Sequence, residues 1–75
     1  MKFEVGQKVK ALNNKCLIIG TKEKPYKPNI DPYLRKEVYP EKDYLLFIFK
    51  EIKNGKEIYL GIMDLLENEI DNENW

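Results

Sequence analysis

The sequence predicts a mainly β fold, a small barrel of five strands with a long loop between strands 2 and 3 and a short helical turn near the C-terminus. Three observations carry this. Asn54-Gly55, the strongest short-range hairpin signal, separates two apolar runs. Val9 and Ala11 alternate with Lys8 and Lys10, the period of a half-buried strand. The chain has 75 residues, enough for one domain with one thin core.

The elements follow in order. Gly6 turns the chain into the first strand. Asn13-Asn14 is a turn signal, because asparagine tolerates positive φ. Lys15 to Lys22 reads as a second strand, apolar on both faces around Cys16, Leu17, Ile18 and Ile19, with Gly20 permitting a bulge. From Glu23 to Lys42 the periodicity stops, and all four prolines fall there. Asp31-Pro32 resembles a helix N-cap with proline at the first helical position, and Leu34 and Val38 would pin one or two turns to the barrel. The segment is expected to be a surface connection less ordered than the strands.

Asp43 to Lys50 is the strongest strand candidate, and Lys56 to Met63 is its return. A two-residue Asn54-Gly55 turn sets Lys53 opposite Lys56. Phe49 then faces Leu60 and Phe47 faces Ile62, an apolar face expected to be core, where loss of either phenylalanine would cost about 3–5 kcal/mol. On the other face Leu46 pairs with Met63, Ile48 with Gly61 and Lys50 with Tyr59. Asp64 with Glu67 three residues on suggests a capping box and a helical turn. Glu69-Ile70 would form a last short strand, with residues 1–71 one domain and 72–75 a frayed tail.

Composition narrows function by what it omits. The chain has no His and no Ser, Thr21 is its only threonine, Arg35 its only arginine and Cys16 its only cysteine. Serine and histidine catalysis is excluded, and zinc would lack ligands. No enzyme activity, cofactor, metal or small-molecule substrate is expected. The longest apolar run, Tyr44 to Phe49, has six residues, against about 20 for a membrane helix. No leader pattern is visible at the N-terminus, and a lone cysteine suits a reducing setting, so a cytoplasmic location is expected. Net charge is zero, yet residues 1–40 carry nine cations against four anions, and residues 41–75 carry four against nine.

The spacing Phe3-x-Val5-Gly6-x-x-Val9 is similar to the opening of small SH3-like barrels, including bacterial SH3-like modules and the Tudor and KOW groups. Those continue into a hairpin and a leucine-bearing turn, which Met63-Asp64-Leu65-Leu66-Glu67 resembles. The resemblance implies a five-stranded SH3-like barrel. Gln7 stands where those families usually have aspartate, and no ligand residue carries over.

Two contact surfaces suggest themselves. The second face of the hairpin, with Leu46, Ile48, Lys50, Tyr59 and Met63, has the apolar centre and charged rim of a protein-binding patch for another protein or a second copy. The loop residues Lys24, Tyr26, Lys27, Tyr33, Arg35, Lys36 and Tyr39 mix cations with stacking rings, as single-stranded nucleic acid requires. A non-catalytic protein-interaction module is the leading expectation, and a nucleic-acid-associated module is the alternative. A small inhibitor or accessory protein of a mobile element is a third. The acidic run from Glu67 to Asn74 lacks the spacing of a calcium loop and reads as a solvated tail. Cys16, inside an apolar strand, reads as a packing residue.

Overall fold

A computed structural model describes residues 2–28, 36–52 and 54–71. The strands are β1 (Lys8–Ala11), β2 (Asn14–Thr21), β3 (Tyr44–Glu51), β4 (Glu57–Leu65) and β5 (Ile70–Asp71), with a 3-10 turn at Glu67–Glu69. All pairings are antiparallel, in one open sheet of order β4-β3-β2-β1-β5. The mainly β fold and its five strands match the sequence expectation. The expected tail, 72–75, lies outside the described residues.

The β1–β2 connection is tighter than the asparagine pair suggests. Ala11 pairs with Asn14, so Leu12 and Asn13 alone make the turn, both at positive φ, 53° and 63°. In the β3–β4 hairpin Asn54 and Gly55 also take positive φ. The Lys56 carbonyl accepts from the Ile52 N–H at 2.8 Å. Lys53, its expected partner, lies outside the described residues.

The expected capping box is displaced. Asp64 belongs to β4, and its carboxylate accepts from the Glu41 N–H at 3.0 Å. The box sits two residues later, where Glu69 reaches back to the Leu66 N–H at 2.8 Å. This leads the chain across to β5, which closes on β1 through Ala11 and Ile70.

The core gathers on one face: Phe3, Val9, Ala11, Cys16, Ile18, Tyr44, Leu46, Ile48, Leu65 and Ile70, with Met63 against it. Cys16 is a buried thiol, and burial pushes its pKa up, consistent with its expected packing role. Tyr44 ties the two ends of the chain together. Its hydroxyl accepts from the Phe3 N–H at 3.1 Å and donates to Glu67 Oε1 at 3.0 Å. Glu67 Oε1 also accepts from the Lys2 N–H at 2.7 Å.

The long connection has a structured stem. Tyr26 and Val38 bridge through two backbone hydrogen bonds of 2.9 and 2.7 Å. Thr21 holds the exit of β2, its Oγ1 accepting from the Lys24 N–H at 3.0 Å. Gly20 lets this stem sit close, since a Cβ there would lie 3.1 Å from the Tyr26 nitrogen. The expected N-cap at Asp31-Pro32 and the pinning residue Leu34 fall outside the described residues.

Candidate functional site: the outer face of β3 and β4

The β3 run Tyr44-Leu45-Leu46-Phe47-Ile48-Phe49 is apolar on both sides, so alternation alone cannot say which side is core. The fold settles it against the expected assignment. Leu46 is 0% exposed and Ile48 5%, while Phe47 and Phe49 are half-buried on the opposite side of the sheet. The expected protein-contact residues therefore do not share a surface. Leu46 and Ile48 are core, Met63 packs against it, Lys50 is exposed beside Ile58, and Tyr59 lies on the other face.

A bulge in β4 accounts for the place of Tyr59 beside the phenylalanines. Phe47 pairs with Ile62 and Ile48 with Gly61 as expected, but Phe49 then pairs with Tyr59, leaving Leu60 as an extra residue. Such a bulge moves every residue beyond it to the opposite face. Tyr59 thereby joins Phe47 and Phe49. Gly61 has φ 144°, a conformation that favours glycine. A glycine inside a strand is a bulge signal, and it was the clue that could have corrected the register.

The result is a row of rings. Tyr26 meets Phe47 edge to face at 5.7 Å, Phe47 meets Tyr59 at 5.3 Å, and Tyr59 lies 6.0 Å from Phe49. These geometries are attractive beyond the area they cover. With Val38 and Ile62 the rings line an open apolar groove of about 640 Å³. Tyr59 is 53% exposed and Ile62 48%. Among the described residues no cation or carboxylate lines the groove. At its β-strand end Lys15 pairs with Glu57 at 3.0 Å, a contact that raises the lysine pKa.

The loop residues singled out for nucleic acid are dispersed. Tyr26 turns into the apolar groove. Lys27 pairs with Glu37 at 3.6 Å. Tyr39 donates to the same carboxylate at 3.0 Å, which pushes its phenol pKa up. Lys24 and Lys36 are exposed, and Tyr33 and Arg35 lie outside the described residues. Glu37 thus offsets the charge of Lys27. Among the described residues no group of three or more metal-ligating side chains assembles, and no helix is long and apolar enough to cross a membrane.

No protein-family model matches the chain, and neither a curated protein nor a solved structure matches it.

Proposed function

We propose that the protein is a non-catalytic binding module that docks a protein, another chain or a second copy, on the outer face of β3 and β4. The carrying observation is the partly exposed aromatic row Tyr26–Phe47–Tyr59–Phe49, in a groove that no charged side chain lines among the described residues. Contiguous exposed apolar surface on a small soluble domain marks contact sites, and aromatic residues are enriched at their centres. An SH3-like barrel is the finer fold we infer. The β1-to-β4 meander and the return of β5 to β1 support it, as does the buried Phe3 ahead of the first strand. A reducing, cytoplasmic setting suits the buried thiol of Cys16, the chain's only cysteine.

The test compares wild type with Ile62→Lys in affinity capture from the native host. Ile62 is half exposed, so the substitution should leave thermal unfolding nearly unchanged, as surface changes usually do. Loss of a protein partner held by wild type is the expected result. Identical partner sets for both proteins would overturn the assignment of this face. Partners that vanish on nuclease treatment or with added salt would instead favour nucleic acid.

A further inference from the structure

We infer, resting on that reading, that the occupant of the outer face is a second copy of this chain, the two sheets stacking face to face about a two-fold axis. Four observations point there. The Cα extents are 40 × 27 × 16 Å, so the molecule is a slab. Its broad face is ample for the roughly 800 Å² that each partner contributes to a standard stable interface. A strand apolar on both sides, as β3 is, belongs in a sheet covered on both faces. The described chain covers one of them fully and the other only at its Leu45 end, under Tyr26.

Edge-to-edge pairing is the competing geometry, and β4 discourages it. Although β4 is an edge strand of nine residues, the Leu60 bulge and the Gly61 backbone interrupt its edge, the device that blunts strand addition. Stacking needs no continuous edge, and sheets pack about 10 Å apart through interdigitating side chains.

Charge selects a neutral partner. Among the described residues the groove has no charged lining. The ions flanking it are paired locally, Lys15 with Glu57 and Lys27 with Glu37. The whole chain has net charge zero, so two copies meet without net repulsion. An isologous contact presents the same neutral rim and apolar centre from both sides.

Sedimentation equilibrium of the full chain across about 1 to 500 µM, the span of modest affinities, reads the outcome. Wild type should move from one chain's mass to two as concentration rises. Ile62→Lys and Tyr59→Lys should each weaken self-association by at least about tenfold, the scale of losing one interface anchor. Circular dichroism melts check that both variants stay folded. A wild type monomeric throughout overturns the proposal, and so does a dimer that both folded variants retain. A monomer whose Ile62→Lys variant loses a different captured protein ends the self-association idea but keeps the binding-module reading. A monomer that Ile62→Lys unfolds shows the face covered by the chain itself, and both fall.

Discussion

Leu46→Ala should destabilise the protein by about 2–5 kcal/mol, the range for removing most of a buried leucine and leaving a cavity. Leu46 is 0% exposed and lies in the sheet between Ile18 and Met63. It has two strand neighbours on the core side, so little can collapse into the space. A domain of this size has a total stability of roughly 4–11 kcal/mol at typical values per residue. The variant should therefore be partly unfolded at moderate temperature. Phe49→Ala, despite removing a larger side chain, should cost only about 1–2 kcal/mol, because its ring is half-buried and its main loss is part of an aromatic row. Chemical denaturation of both variants checks the order. A larger loss for Phe49→Ala would place the core on the opposite face.

Tyr44→Phe should cost about 1–3 kcal/mol at neutral pH. The ring is fully buried and phenylalanine keeps its edge-to-face contact with Phe3, which has centroids 5.5 Å apart. Only the hydroxyl is lost, and with it the acceptor for a buried Phe3 N–H, the costly kind of deletion. The cost should also depend on pH. The Lys2 N–H, then the Tyr44 hydroxyl, hold the Glu67 carboxyl below its ordinary value of 4.5. A carboxylate depressed on folding contributes stability above its unfolded pKa and loses that contribution as pH falls through the folded value. Part of the Tyr44→Phe deficit should therefore disappear in acid, below about pH 4. Urea melts at neutral and acid pH measure this. A deficit that grows in acid would show that the hydroxyl does not support the charged form of Glu67.

The strand order and the β3–β4 hairpin were legible because β-branched and aromatic runs bounded by Asn-Gly and Asn-Asn leave few alternatives. The choice of face was not. Leu46 pairs with Met63 and Phe47 with Ile62 as expected, and β3 is apolar on both sides, so its pattern does not mark Leu46 and Ile48 as the core side. Counting pairs outward from a two-residue Asn54-Gly55 turn gives the right partners for Phe47 and Ile48 and the wrong ones for Phe49 and Lys50, because Glu51 pairs with Glu57, one residue off that register, until Leu60 restores it. Gly61 was the available warning. The helical turn was legible as a turn, but its capping residue was not. Asp64 and Glu67 have box spacing, yet β4 runs through Leu65 and the reciprocal bond belongs to Leu66 and Glu69. The groove itself combines β3 and β4 with Tyr26 and Val38, residues distant in sequence. Their meeting depends on the bridge between Tyr26 and Val38 and on the missing side chain at Gly20, neither of which periodicity reports.

The central claim is that the outer face of β3 and β4 is an accessible contact surface. Paramagnetic relaxation of side-chain methyl signals by an inert soluble probe tests it most directly, on unmodified protein and at several concentrations. The Ile62 methyls should be strongly broadened at the lowest concentration and become protected as concentration rises, while the Ile48 methyls stay protected throughout. Ile62 methyls shielded from the probe even in the most dilute sample, or Ile48 methyls reached by it, would contradict the account.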